Sequence, residues 1–421
     1  MRQQEFPTPL IVRDKPLPTG IKKIITVPGV RRCGKRSKME AVANKLLADG
    51  LDRRKILWVS FDDERLSRMN AEDFNDIIEA YCEMYPEIDF SEVVAFFDEI
   101  QLVENWEYFV LRFYKHYTKN IYISGSNATM LSTELQSALR GWPLEEETFP
   151  LSFHEYCIFK GINTESYDER ERAKVRTAFR DYNNQGGFPE VVLTDNPMLR
   201  TRILQGYFDT MLFKDLVEHY QLTNIEVVKY FLKRIMANIT KPTSIRNITN
   251  DIRSRGLKTG KDDPYRWAEY ATQIFMFIKV PNYSQSLGKT ENSLPKYYCI
   301  DNGLRDAVLL PQSNDDGKKL ENTVLLHLYR ERTPVDRIFY YQGQRECDFI
   351  VQRAMEVYAA IQVCWDLSDS STRDREMAGL LEASKVTGCG NLYIITFDHE
   401  EELEVDSKVI HIVPAWKWLL S

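Results

Sequence analysis

The sequence lacks the marks of a secreted, zinc-stapled or membrane-spanning protein. Its seven cysteines include no CxxC pair and its six histidines form no ligand cluster, which predicts a reducing, cytoplasmic setting without a structural zinc site. No uninterrupted apolar run reaches membrane-spanning length, and the N-terminus has no apolar core of signal-peptide length. The net charge of −7 argues against a general nucleic-acid-binding surface, although a local basic patch stays possible.

Residues 21–40 contain a predicted strand, a glycine-rich turn and a helix. The β-branched run Ile24–Val27 stops at Pro28-Gly29, and a helical pattern then continues through Leu47. At the junction, Gly29-x-x-x-x-Gly34-Lys35 has the spacing of a Walker A phosphate loop. Glycines let backbone N–H groups converge on phosphate oxygens, and the helix N-terminus adds a favourable dipole. The alternative is an ordinary β-to-α turn. The residues expected to hold the nucleotide are Gly29, Val30, Arg31, Arg32, Cys33, Gly34, Lys35, Arg36, Ser37 and Ser126.

The loop departs from the complete motif at the position that ligates magnesium. A full Walker A loop has Ser or Thr after the lysine, and here that residue is Arg36. The next hydroxyl, Ser37, lies one residue late and so points about 100° around the helix from the expected metal position. The sequence therefore predicts a phosphate cradle that lacks its usual metal ligand. For Cys33, a small residue in a tight turn is favoured over a thiol whose pKa is lowered by the helix N-terminus.

Acidic residues follow the third predicted strand. That strand, Val93 to Phe97, ends in Asp98-Glu99, which matches Walker B. We expect Asp98 to hold Mg²⁺ and Glu99 to polarise the attacking water. The plainer alternative is a strand that happens to end in two acids, and the phosphate loop upstream favours the functional interpretation.

Strands alternate with helices through the first 150 residues, which predicts an α/β fold with a doubly wound parallel sheet. Ligands of such sheets bind at the carboxyl ends of the strands. A fourth strand ends near Ser126 and Asn127, where nucleotide hydrolases place a polar sensor, although both residues are also ordinary turn formers.

The motifs GVRRCGK, SFDDERL, FFDEIQLVENWE, ISGSNATML and FPLSFHEY together resemble a prokaryotic AAA+-like P-loop ATPase family whose members carry a C-terminal domain of unknown function. The resemblance covers most of the chain and implies ATP and Mg²⁺ as cofactors. It also implies a division into an extended lead-in, an ATPase core, a helical lid, a winged-helix-like domain and a restriction-endonuclease-like domain. The corresponding boundaries are 1–20, 21–150, 151–240, 241–312 and 318–421.

Two departures from the family pattern bear on catalysis. Family members usually have GKS or GKT at Lys35-Arg36, and they tend to carry an arginine where this chain has Trp142. Arg140 is the nearest candidate to replace that arginine as a finger or sensor. Loss of both groups predicts an ATP-binding switch with weak or absent hydrolysis, with a slow ATPase as the alternative.

The order of helices and strands predicted for residues 318–421 resembles the PD-(D/E)xK nuclease core. The chemistry of that core needs two carboxylates to bind metal and a lysine to orient or activate water. Glu321 and Asp348 match acidic positions, but Gln362 and Cys364 stand where the second carboxylate and the lysine belong. We therefore predict that the fold is kept and cleavage is lost. An ATP-controlled nucleic-acid processing protein remains the alternative.

Residues 241–300 are predicted to contain a helix capped by Thr243-Ser244, a second helix over roughly 263–278 and two strands within 283–301. The second helix begins with the acidic pair Asp262-Asp263, which is ill suited to a DNA groove. The expected partners are a nucleotide and an unknown protein, with nucleic acid possible only through scattered basic residues and no membrane.

Overall fold

The computed structural model describes residues 6–7, 13–66, 69–126, 143–165, 168–309 and 315–421. The chain forms two compact units. The first comprises residues 1–150 with 273–275, and the second comprises residues 151–272 with 276–421. None of the helices in the described ranges combines the length and the apolar character needed to cross a bilayer.

The first unit is built on a five-stranded parallel sheet with strand order β2-β3-β4-β1-β5. Register is regular, with β1 paired to β4 from Ile24–Ile121 to Pro28–Gly125. The strands are β1 (Ile24–Pro28), β2 (Ile56–Ser60), β3 (Val94–Asp98), β4 (Asn120–Gly125) and β5 (Pro143–Glu145). The helices are α1 (Lys35–Ala48), α2 (Phe74–Met84) and α3 (Trp106–His116).

Both faces of this sheet are covered by apolar side chains, which explains why its strands are almost continuously hydrophobic. One face packs against α1 through a stack in which the Phe96 ring lies 4.9 Å from both Trp58 and Tyr122. The other face packs against α2 and α3, where Phe97 and Phe113 have ring centroids 5.5 Å apart. The doubly wound parallel sheet predicted from the sequence is confirmed.

The second unit begins with helices and a small two-stranded antiparallel sheet. The helices are α4 (Phe153–Phe159), α5 (Glu169–Gln185), α6 (Pro189–Leu193), α7 (Pro197–Thr210), a π-helical turn (Met211–Glu218), α8 (Ile225–Ala237), α9 (Ile245–Ser254), α10 (Asp263–Gln273), α11 (Leu287–Asn292) and α12 (Asn302–Val308). The strands are β6 (Phe277–Val280) and β7 (Lys296–Cys299).

The prediction for residues 263–301 is partly wrong. The helix ends at Gln273 rather than near 278, and the first strand is Phe277–Val280, upstream of the predicted pair. Buried Ile278 and Val280 flank exposed Lys279, an alternation that fits a strand with one face packed. The connection between the strands contains α11, where two strands around a turn were expected.

The second unit ends in a six-stranded mixed sheet with order β12-β13-β11-β10-β9-β8. Its strands are β8 (Asp336–Gln342), β9 (Glu346–Arg353), β10 (Glu356–Cys364), β11 (Leu392–Thr396), β12 (Glu401–Val405) and β13 (Lys408–Pro414). The helices are α13 (Asp316–Glu331), α14 (Ser370–Thr387) and α15 (Ala415–Trp418). Sequence analysis missed β12 and β13. The edge strand β12 is rich in glutamate and carries little of the usual strand signal.

Asp301 joins two parts of the second unit. Its Oδ1 accepts the Leu304 amide at 2.9 Å as the N-cap of α12, and its Oδ2 accepts the Gly187 amide at 2.7 Å. A Cβ at Gly186 would lie 2.1 Å from this carboxylate, so the turn before α6 requires glycine there. Burial raises the pKa of Asp301 to about 6, against the opposing effect of these amide hydrogen bonds.

A raised folded-state pKa predicts that Asp301 contributes stability at low pH that is lost as pH rises. Below the unfolded pKa both states are protonated, whereas between about pH 4 and 6 only the folded protein keeps the proton. The free energy of unfolding should therefore fall by about 3 kcal/mol over this window relative to Asp301→Asn. Urea unfolding at several pH values measures this difference. Asp195→Asn, which alters a fully exposed carboxylate, is the matched control. If the free energy of unfolding changes equally with pH in the natural protein and in Asp301→Asn, the raised pKa of Asp301 is contradicted.

Candidate nucleotide site

The turn between β1 and α1 has the backbone of a phosphate loop. Gly34 adopts φ +103° immediately before α1, a conformation that L side chains rarely take. A Cβ at Gly29 would lie 2.1 Å from the Thr148 carbonyl oxygen, because residue 148 forms a parallel bridge with Gly29. Both glycines of the motif are thus required by geometry, one by its φ angle and one by a close backbone approach.

Lys35 opens α1 and lies across this loop. Its side chain is 5% exposed, and its Nζ donates to the carbonyl oxygens of Gly29 at 3.0 Å and Val30 at 3.2 Å. The same ammonium lies 3.6 Å from Glu99 Oε1. The lysine therefore connects the phosphate loop to the end of β3. Its role in holding the nucleotide stays a prediction.

Arg36 reaches the place where a metal ligand was expected. Its Nε donates to Glu40 Oε1 at 3.1 Å, and its Nη1 donates to Ser60 Oγ at 3.2 Å. Nη1 also lies 3.6 Å from Asp98 Oδ2. Ser37 is exposed, in keeping with its predicted direction around the helix. A guanidinium cation thus faces the Walker B aspartate.

Asp98 ends β3 and is buried. The Ser124 hydroxyl donates to its Oδ1, and the Ser60 hydroxyl lies 3.2 Å from its Oδ2. Burial raises the pKa of Asp98, and the Ser124 hydrogen bond offsets only part of that shift. Oδ1 is therefore hydrogen-bonded, while the single Ser60 proton has a closer acceptor, Asp62 Oδ1, at 2.8 Å.

Glu99 has the opposite electrostatic character. It takes a left-handed φ of +53°, with its amide donating to Ser124 Oγ at 3.0 Å and Gln101 Nε2 donating to its Oε2 at 2.5 Å. Burial raises the pKa of Glu99, but the Lys35 charge and the Gln101 hydrogen bond together outweigh this effect. The pKa of Glu99 is therefore below its ordinary value. Glu99 is an ionised carboxylate beside the phosphate loop.

The remaining predicted positions are placed as follows. Val30 and Cys33 are buried, Arg31 is half-buried, and Arg32 is exposed with φ +66°. Burial raises the pKa of the Cys33 thiol, which donates to Thr148 O at 3.2 Å. The alternative of a lowered pKa at Cys33 is therefore wrong, and the residue serves as a small group in the turn.

Ser126 is buried, and its Oγ lies 3.4 Å from Gln101 Nε2, the group that also donates to Glu99. Its role as a sensor stays a prediction. Asn127, Arg140 and Trp142 lie outside the described residues.

Several site residues were not found by sequence analysis. Arg13 donates from Nη1 to the Cys33 carbonyl at 2.9 Å and from Nη2 to the Phe149 carbonyl at 2.7 Å, so the lead-in segment braces the phosphate loop. Ser60, Ser124 and Gln101 complete the hydrogen bonds around Asp98 and Glu99. Of these residues, only Ser124 could be noticed in the sequence, as a polar residue at the end of a buried strand. Arg13 could not, because its contact with Phe149 joins residues more than a hundred positions apart.

In the second unit, the three nuclease-like positions also lie close together. Asp348 accepts the Val363 amide at 2.9 Å, and its own amide donates to Gln362 Oε1 at 3.2 Å. Glu321 and Asp348 both contact Lys296, a residue that sequence analysis did not single out.

Two families match the sequence. The family described as "AAA domain" matches residues 21–157, and "Domain of unknown function (DUF8612)" matches residues 176–315. The uncharacterised protein MJ1544 of Methanocaldococcus jannaschii is 32% identical over 410 residues, which cover 95% of this chain and 88% of that protein. An uncharacterised protein of Haemophilus influenzae is 27% identical over 400 residues, 94% of each chain. A solved Walker-type ATPase of Pyrococcus abyssi has a TM-score of 0.44 at 14% identity, covering 68% of this chain and 90% of that structure.

A parallel sheet with a phosphate loop after β1 and an Asp-Glu pair after β3 defines a P-loop ATPase of the AAA class, in agreement with the matched AAA domain. The chain belongs to the same family as the Methanocaldococcus jannaschii protein MJ1544, in which the likeness extends over nearly the full length of both chains.

Proposed function

We propose that the chain is an ATP-binding, nucleotide-dependent switch with weak or absent hydrolysis. The observation that carries this proposal is Arg36, whose guanidinium lies 3.6 Å from Asp98 at the position where P-loop ATPases hold magnesium. ATP binding is supported by the intact cradle. Gly29 and Gly34 keep the loop backbone open, and Lys35 supplies a cation at the start of a helix. Arg36 stands beside this cradle as a second cation.

The residues at this site do not fit a directly coordinated Mg²⁺. The Ser124 hydroxyl donates to Asp98 Oδ1, and the Arg36 guanidinium faces Oδ2 at 3.6 Å. A guanidinium at this distance opposes Mg²⁺ binding by like-charge repulsion. The metal role of Asp98 stays a prediction.

A slow ATPase is the second candidate, and Glu99 is the observation that favours it. Its carboxylate is ionised and 3.6 Å from the Lys35 ammonium, where an attacking water needs a base. The neighbouring Gln101 Oε1 is buried without a hydrogen-bond partner in the described part of the chain, which fits an ordered water beside Glu99. In this account Glu99 would act on water, and the loop would still bind the triphosphate.

The rest of the chain would transmit the nucleotide state. In this proposal, residues 151–240 form a helical lid, residues 241–312 a winged-helix-like domain and residues 318–421 a nuclease-like domain. Two helices, α9 and α10, followed by the antiparallel pair β6 and β7 support the second of these. Lys214 is exposed in the π-helical turn, which favours a solvated role for it in the lid. The partner that reads the switch would be a protein bound through one of these parts.

Thermal unfolding with ATP, run in parallel with an assay of phosphate release, tests the proposal. ATP at a hundredfold excess over its dissociation constant should stabilise the protein by about 3 kcal/mol, with turnover at background. Strong Mg²⁺-dependent turnover would instead establish the ATPase. The absence of any nucleotide-dependent shift would contradict both candidates and leave an interaction module.

A further inference from the structure

The second unit contains a fully buried lysine among carboxylates. Lys296, the first residue of β7, has no exposed side-chain surface. Its Nζ lies 2.6 Å from Glu346 Oε1, 3.0 Å from Glu321 Oε1 and 3.3 Å from Asp348 Oδ1. Lysine is almost never fully buried without partners of opposite charge. This cluster of Lys296 with Glu321, Glu346 and Asp348 is called the ammonium cluster below.

The carboxylates of the ammonium cluster come from α13 and β9, and two of them have further hydrogen bonds. Glu321 lies on α13 and accepts a second hydrogen bond from the Tyr298 hydroxyl at 2.7 Å. Asp348 lies on β9, and its Oδ2 accepts the Val363 amide of β10 at 2.9 Å. All three carboxylates line an open cleft of about 530 Å³. The ammonium therefore occupies the point on which the carboxylates converge.

The other two expected catalytic positions of the cleft are occupied by groups without the needed charge. Gln362 Oε1 accepts the Asp348 amide at 3.2 Å, and its Nε2 donates to Glu376. Glu376 is in turn paired with Arg375 at 2.6 Å. Burial raises the pKa of Cys364 to about 11, so this thiol stays neutral. Neither residue supplies a metal ligand or an activating cation.

Charge balance explains why Lys296 remains an ammonium. The Nζ lies between 2.6 and 3.3 Å from three carboxylates, and opposite charges at such distances favour the charged ammonium. Buried carboxylates without a counter-charge are strongly unfavourable. A divalent ion or an ammonium would each satisfy them, and both cannot occupy the same point.

We propose that Lys296 takes the place of a divalent cation in this cluster, so that the cleft is held metal-free and non-cleaving by an ammonium supplied from the small antiparallel sheet. As folded, no group of three or more carboxylate, histidine or cysteine side chains in the described residues is arranged to hold a metal ion. Without the ammonium, the three carboxylates would be left to take Mg²⁺ or Mn²⁺. This inference concerns the second unit and does not depend on the nucleotide switch.

Binding of Mn²⁺ to the full-length protein, without nucleotide, tests the proposal. The natural protein and Asp348→Asn should bind Mn²⁺ equally, because the cluster contributes no site. Lys296→Ala should bind Mn²⁺ at least about tenfold more tightly than the natural protein, because the positive charge of the ammonium is removed from the cluster. Asp348→Asn added to Lys296→Ala should abolish the gain. Lys279→Ala, an exposed lysine of β6, is the matched control.

Two results would overturn the proposal. Asp348-dependent Mn²⁺ binding by the natural protein would make Lys296 the activating lysine of a working metal site. A folded Lys296→Ala protein that gains no Mn²⁺ site would show that the carboxylates do not form one. Lys296→Met, which keeps the length of the side chain, replaces Lys296→Ala if the latter does not fold. The comparison of natural protein with Asp348→Asn can overturn the proposal without any lysine variant.

Discussion

Arg36→Ser should turn a nucleotide-binding protein into a measurable ATPase. The substitution removes the guanidinium that lies 3.6 Å from Asp98 and supplies a hydroxyl at the motif position that ligates magnesium. Because positioning of the metal and its charge carry much of phosphoryl-transfer catalysis, we expect Mg²⁺-dependent turnover to rise by about tenfold or more. Glu99 is already ionised and beside Lys35, so the base needs no further change.

The matched variants separate charge from ligation. Arg36→Ala removes the guanidinium without supplying an oxygen, so its turnover should rise less than that of Arg36→Ser. Arg36→Lys keeps a cation near Asp98 and should stay at the natural level. Phosphate release in excess Mg²⁺ measures all four proteins, and equal turnover by natural protein and Arg36→Ser would count against the role assigned to Arg36.

Lys35→Ala should weaken ATP binding by about a hundredfold, which corresponds to loss of a charge-assisted contact of roughly 3 kcal/mol. The ammonium is 5% exposed and lies across the loop that would receive the phosphates. Equilibrium titration with ATP measures the effect. Lys45→Ala is the matched control, because Lys45 is exposed in the last turn of the same helix α1. An unchanged affinity in Lys35→Ala, with the fold intact, would show that ATP does not bind at this loop.

The parts of the site that follow local sequence rules were predictable. Gly29, Gly34 and Lys35 sit at fixed spacing between a strand and a helix, and Asp98-Glu99 ends a buried strand. Parallel pairing of β1, β3 and β4 then brings these ends to one edge of the sheet. The sequence therefore predicted the sheet and the edge at which these residues meet.

The parts that depend on long-range contacts were not predictable. Arg13 braces the phosphate loop from the lead-in, and Lys296 enters the C-terminal cleft from a separate small sheet. No spacing rule connects either residue to its site. Short strands also escaped: β6 was taken as the end of a helix because its apolar residues continue the pattern of α10, and β12 is masked by its glutamates.

The two sites share one feature that the sequence showed only in part. In each, a basic side chain faces the carboxylate expected to bind metal, Arg36 at Asp98 and Lys296 at Asp348. The Arg36–Asp98 pair could be expected from the sequence, because Arg36 stands where the Walker A motif has its metal-binding Ser or Thr. The second became visible only when the fold brought β7 beside α13 and β9.

ATP binding by the natural protein, measured by titration calorimetry in excess Mg²⁺ and again in EDTA, tests the central claim most directly. Because Arg36 stands at the metal position, we expect the two dissociation constants to agree within about twofold, whereas Arg36→Ser should lose affinity in EDTA. Binding by the natural protein that requires Mg²⁺ would contradict the account, since Arg36 would then have to leave Asp98 for a metal to enter.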